Sequence, residues 1–243
     1  MIWMLVSLAF AGDSKALYTG AGSPFVIGKG HGAVGLFRPL TIGLSDKTQL
    51  KTTGLESLVS PQVDIKHQIW EGSDAGVSVI GGLGIPTLGL KLIQGTVLSS
   101  DPNQTVTFAS VFKLGAVAGV RQGAFRFSAG LEARAAAKAG QWGLESPGWF
   151  WLDPMLAPLT EGPVARTRVV VDCYPDNAPV GLTLETWVQI GGIGPDLESR
   201  LFGEWAPGRH VSLGLGLAAG SERFERGRDS QLWTGLFDLR FRW

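Results

Sequence analysis

Few residue types in this 243-residue chain are equipped to make or break bonds. There are three histidines, His31, His67 and His210, and one cysteine, Cys173. His210 and Ser212 stand two apart, so on an extended strand they share a face, where an imidazole could act as base toward a hydroxyl. The adopted reading is two polar neighbours on one face, and no catalytic residue is assigned. A single cysteine permits neither an intramolecular disulfide nor a cysteine-based metal site. No His, Cys or carboxylate cluster has metal-ligand spacing, and the glycines at 81 to 84 and at 214 and 216 lack a following helix, so no phosphate loop and no cofactor is expected. The chain is read as a non-enzyme.

The other candidates are charged side chains in alternating runs. In the last segment Asp238, Arg240 and Arg242 alternate with Trp233, Gly235, Phe237, Leu239, Phe241 and Trp243. Strict period two means one strand with two chemically different faces. From 123 to 137, Arg126, Ser128, Gly130, Glu132 and Arg134 oppose Phe125, Phe127, Ala129, Leu131, Ala133 and Ala135. Similar strands are read at 105 to 120, 180 to 190 and 209 to 219, with weaker ones at 32 to 44, 47 to 54, 61 to 70, 75 to 86, 164 to 173 and 197 to 205. Parity collects Lys51, Asp64, Lys66, Lys113, Arg126, Glu132, Arg134, Arg166, Arg168, Asp172, Glu185, Glu198, Arg200, Glu204, Asp238, Arg240 and Arg242 on the polar face, where basic residues outnumber acidic ones.

Connection lengths bear on how these strands are arranged. Tight ones are read at Ser45-Asp46, Glu71 to Asp74, Arg121-Gln122, Tyr174 to Ala178 and Ala206 to Gly208. Between them lie longer ones, at 87 to 104, 138 to 163 and 220 to 230. Alternating short and long connections suit an up-and-down barrel with short periplasmic turns and longer extracellular loops. The strands named sum to an odd number, and a further strand within 14 to 24 restores an even one. The expectation is an all-β, antiparallel transmembrane barrel of about twelve strands, with ten as the alternative.

Alternation alone does not say which face looks outward. Lys plus Arg and Asp plus Glu are balanced at 21 each, so no net field draws the chain to nucleic acid. Thirty-five glycines, nine Trp and twelve Phe against 17% charged residues suit short strands and tight turns in a single domain. Residues 1–11 are apolar and end in Ala9-Phe10-Ala11, the small-x-small pattern of a signal peptide, which leaves 12–243 as the barrel domain. Trp205, Trp233 and Trp243 fall at strand ends, where aromatic residues sit at membrane interfaces. With Gly, Ser and paired charges on the polar face, these features favour apolar-out.

The C-terminal LFDLRFRW, with Phe237, Leu239, Phe241 and Trp243 at alternate positions, resembles the β-signal read by the barrel assembly machinery. GLFRPLTIGLSDKTQL resembles the GxxxPLxxGLTDxxEL pattern of uncharacterised outer-membrane proteins and aromatic-compound transporter-like proteins of Gram-negative bacteria, with Ser45 and Gln49 where Thr and Glu are common. The His-x-Ser spacing is similar to that of outer-membrane lipid A deacylases, but Leu213 stands where they carry Asn. Together the first two imply a Gram-negative outer membrane, with its lipids and the assembly machinery as partners and transport as the family-level function.

Two further expectations concern function. The polar face, turned inward, forms either a cross-braced closed interior or a narrow, hydrated, mildly anion-favouring channel for a small solute, since a lumen of around twelve strands is small enough for Arg side chains to fill. The aromatic connection 138 to 163, with Trp142, Trp149 and Trp151, is read as an interface belt, a binding lid or a plug in the barrel mouth.

Overall fold

The computed structural model describes residues 23–35, 39–52, 61–87, 105–141, 158–159, 162–175, 179–190, 196–207, 210–223 and 229–243. The expected signal peptide, 1–11, lies outside them. Twelve strands run in chain order: β1 (Gly32–Gly35), β2 (Leu40–Ser45), β3 (Thr48–Thr52), β4 (Gln62–Glu71), β5 (Ala75–Gly84), β6 (Thr105–Gln122), β7 (Phe125–Gln141), β8 (Val164–Cys173), β9 (Val180–Ile190), β10 (Asp196–Trp205), β11 (Val211–Arg223) and β12 (Asp229–Arg242). Each pairs antiparallel with its chain neighbours, and β1 pairs with β12, closing the barrel. At that seam Ala33 faces Arg242, and Gly32 and Trp243 exchange backbone hydrogen bonds of 3.0 and 3.1 Å.

The expected number of strands is found, but one is placed differently. The run 32 to 44 is two strands, β1 and β2, with the chain reversing between them. Most of 14 to 24 lies outside the described residues, and Ser23 and Pro24 are not strand. Pro39 explains the reversal: it has no N–H for a ladder and restricts the residue before it, so a continuous strand across this point is unfavourable.

One end of the barrel gathers the connections 46–47, 72–74, 123–124, 174–179 and 206–210, together with the start of β1 and the end of β12. The tight turn read at Arg121-Gln122 falls instead at Gly123-Ala124, because those two residues still pair with Arg126 and Phe125. Gly123 has φ of 57°, which only glycine adopts without cost in a two-residue hairpin. At the other end 85–104 and 142–163 are long, whereas the expected loop 220 to 230 shrinks to 224–228, since β11 and β12 stay paired as far as Arg223 and Asp229.

The amphipathy is inverted relative to a soluble barrel. Leu114 and Leu215 are 71% and 68% exposed, while Lys66 and Arg240 are 3% and 4% exposed. A wall that turns leucine and phenylalanine outward and buries its charges cannot face water, and closure leaves no sheet edge with unsatisfied backbone groups. Among the described residues no helix is long and apolar enough to span a bilayer, so the crossing is made by strands.

Candidate functional site

The inward face is the candidate site, and adjacent strands build it by bringing residues far apart in sequence into register. β3 and β4 set Lys51 opposite Asp64, β7 and β8 set Arg126 opposite Asp172 and Glu132 opposite Arg166, and β9 and β10 set Glu185 opposite Arg200. Asp64, Lys66, Arg126, Glu132, Arg166, Arg168, Asp172, Glu198, Glu204, Asp238, Arg240 and Arg242 are buried. Lys51, Lys113, Arg134, Glu185 and Arg200 are partly exposed on the same side.

Buried charge in a low-dielectric interior must be paired, and this one is braced across strands. Lys113 of β6 pairs with Asp64 of β4, and Arg242 of β12 with Glu204 of β10. Arg168 reaches Glu185 at 3.0 Å, Arg134 reaches Glu132 at 2.5 Å, and Glu198 takes Arg200 beside it and Arg166 at 3.7 Å. Thr183 donates to Asp172 at 2.7 Å. Midway round the wall, Trp187 lies under both Arg166 and Arg168, whose guanidinium carbons are 4.7 and 4.4 Å from its ring centroid. This cation-π stack explains why one tryptophan faces the lumen rather than lipid. At the end with long connections, Gln62, Gly82, Gly84, Pro86, Lys113 and Arg134 line a small recess.

The lumen also holds a segment that alternation could not reveal. Residues 23 to 28 run inside the wall: Ser23, Pro24 and Ile27 are buried, the Ile27 N–H donates to Gln49 at 2.9 Å, and Lys66 donates to the carbonyls of Ser23 and Phe25 at 2.9 and 2.5 Å. Its partners lie on β3, β4 and β5, up to 54 positions away in sequence.

The outward candidates fall as follows. Trp205, Phe237, Phe241 and Trp243 are exposed and Leu239 is partly exposed; the side chain of Trp233 lies outside the described residues. Trp142, Trp149 and Trp151 lie outside the described residues as well. His210 and Ser212 both bond to Arg242 and not to each other: the His210 ring meets its carbonyl at 3.1 Å, and the buried Ser212 hydroxyl accepts from its guanidinium at 3.0 Å. The exposed His67 ring meets Thr48 at 2.9 Å. No group of three or more His, Cys, Asp or Glu that could hold a metal ion occurs among the described residues.

No protein-family model and no curated protein sequence matches the chain. Solved structures do. Outer-membrane expressed OmpT of Vibrio cholerae is similar over 84% of this chain, with 9% identity and a TM-score of 0.43, and its loop L8 deletion mutant over 84%, with 13% identity and a TM-score of 0.44. CdiB from Acinetobacter baumannii is similar over 84%, with 9% identity and a TM-score of 0.34. The chain spans 64% and 62% of the length of the two OmpT structures and 49% of CdiB. A closed, even-stranded, all-antiparallel barrel with an apolar exterior and a charged interior is the architecture of bacterial outer-membrane barrels, and this chain is an outer-membrane β-barrel protein.

Proposed function

We propose that this outer-membrane barrel passes small solutes through a narrow lumen, anions in preference to cations, with its short connections in the periplasm. The observation that carries the reading is the charge of the inward face. There Lys51, Lys66, Lys113, Arg126, Arg134, Arg166, Arg168, Arg200, Arg240 and Arg242 outnumber Asp64, Glu132, Asp172, Glu185, Glu198, Glu204 and Asp238. A surplus of fixed positive charge in a confined water path raises the local concentration of anions and lowers that of cations. The side chains that would act first on an incoming solute are Lys113 and Arg134, which line the recess at the end with long connections.

One observation favours a second reading, a closed structural barrel: the ion pairs that link strands along the inward wall are almost fully buried. Planar-bilayer recordings separate the two. On the first reading the reconstituted protein conducts, its reversal potential in a potassium chloride gradient reports chloride preference, and Arg240→Glu weakens that preference. Absence of conductance above the empty bilayer would favour the closed barrel. In that case Arg240→Glu lowers thermal stability instead, because it turns another carboxylate toward Asp238 and Glu204. Neither enzymatic chemistry nor an aromatic substrate is part of the proposal.

A further inference from the structure

The wall side chains that hydrogen-bond residues 23 to 28 share one property: they address its backbone. Three consecutive carbonyls accept from the wall, Ser23 and Phe25 from the Lys66 ammonium and Pro24 from the Ser78 hydroxyl. Two positions on, the Ile27 N–H donates to Gln49. Pro24 has no N–H to satisfy and biases Ser23 toward an extended conformation, which suits a strip read through its carbonyls.

The wall is also cut to receive a chain. A Cβ at Gly43 of β2 would lie 2.1 Å from the Gly28 carbonyl oxygen and 2.6 Å from that of Ile27, so only glycine permits this approach. A Cβ at Gly76 of β5 would meet the Phe25 ring at 3.2 Å, and one at Gly119 of β6 would meet Pro24 at 3.0 Å. Arg126 of β7 lies 5.7 Å from the centroid of the Phe25 ring. The segment thus crosses the lumen from β2 to β7, beside the short connections, held by side-chain hydrogen bonds and packing.

We propose that this end of the lumen is a binding site for a short extended peptide with an apolar side chain at the Ile27 position, and that residues 23 to 28 are its resident occupant. The bonds come from lumenal side chains and not from a free sheet edge, but the division of labour is that of strand addition, in which hydrogen bonds to the ligand's backbone give affinity and side-chain pockets give specificity. Resting on the channel reading, one consequence follows: the seated segment closes the lumen and its withdrawal opens it.

Thiol protection tests the seat without reference to transport. In full-length protein carrying Cys173→Ser and Ser78→Cys, reconstituted in lipid vesicles, the thiol at 78 is covered by Pro24 and reacts slowly with a charged methanethiosulfonate added on the side of the short connections. Gly43→Val, Lys66→Met, or replacement of 23 to 28 by a Gly-Ser linker raises that rate at least tenfold. Three variants guard against one failing to fold. A synthetic Ser-Pro-Phe-Val-Ile-Gly peptide restores protection to the linker variant. Equal rates with and without the segment would overturn the seat, and a peptide that leaves the linker variant unprotected would overturn the peptide site. Conductance of the same variants is read separately. Faster labelling with higher conductance makes the segment the gate, whereas faster labelling with no conductance leaves the site standing and removes the channel.

Discussion

The two halves of the lumen wall satisfy their buried polar groups in different ways. Along β8 to β12 the charges pair with one another: Arg168 takes Glu185, Arg166 and Arg200 share Glu198, and Arg242 takes Glu204 and Ser212, while Arg166 Nε and Arg242 Nε and Nη1 stay without a hydrogen-bond partner among the described residues. Along β2 to β5 the wall is instead completed by residues from outside the sheet. Gln49, Lys66 and Ser78 spend hydrogen bonds on the backbone of 23 to 27, and Gly43 and Gly76 leave room for it. The first arrangement is fixed by strand pairing, because its partners lie on one strand, diagonally on adjacent strands, or on strands two apart within the same closed sheet. The second depends on no strand pair, and on the proposal above it comes undone when 23 to 28 withdraw. A rigid braced half and a removable filled half are what a narrow lumen needs if it is to change its opening without changing its barrel.

The largest expected effect comes from the braced half. Glu204 is 5% exposed and pairs with Arg242, whose guanidinium has no other carboxylate among the ion pairs described here. Glu204→Ala leaves a buried charge without its counter-ion and should cost about 3–5 kcal/mol of stability, measured by urea unfolding of the folded protein in lipid vesicles. A loss below about 1 kcal/mol, the range of exposed pairs, would mean that water reaches Arg242 and that the half is not braced.

The next effect should not distinguish the halves at all. Ile65 on β4 and Leu215 on β11 both point outward in mid-strand. An arginine at either meets hydrocarbon, at about 2–4 kcal/mol near the bilayer midplane, so Ile65→Arg and Leu215→Arg should destabilise alike. If the two arginines differed widely in the same unfolding assay, the contrast between halves would extend to the lipid face and would not belong to the lumen.

How much of this was legible in the sequence depends on whether an effect is local. Which residues share a face follows from period two, so the all-β barrel and the charge of one face could be read from runs such as Phe237 to Trp243. Strand number came out at twelve for a partly different reason, because alternation runs on through 36 to 39 and does not show a reversal; Pro39 was the signal that could have done so. Period two puts Trp187 on the polar face with Glu185 and Gln189, but what holds it there, Arg166 and Arg168 of the neighbouring strand, shows only once the strands are in register. The segment 23 to 28 carries no periodicity, and what buries it is Gln49, Lys66 and Ser78, 22 to 54 positions away. A plug could only be sought where aromatics cluster, at 138 to 163, mostly outside the described residues.

The smallest expected effect tests where water enters the braced half. Arg200 and Arg242 both pair with glutamates of β10, but the Arg200 side chain is 38% exposed and that of Arg242 only 6%. Glu198, the partner of Arg200, also has Arg166 within 3.7 Å. Arg200→Gln therefore removes a partly hydrated charge and leaves its carboxylate with a second cation, so the cost should be about 0.5 kcal/mol. If the lumen carries a water path past Arg200, added salt should weaken the wild-type pair and shrink the difference further, because mobile ions screen charges they can approach. A cost equal to that of Glu204→Ala, insensitive to salt, would show the lumen to be dry at this level, and a path for anions would then have to avoid β10 altogether.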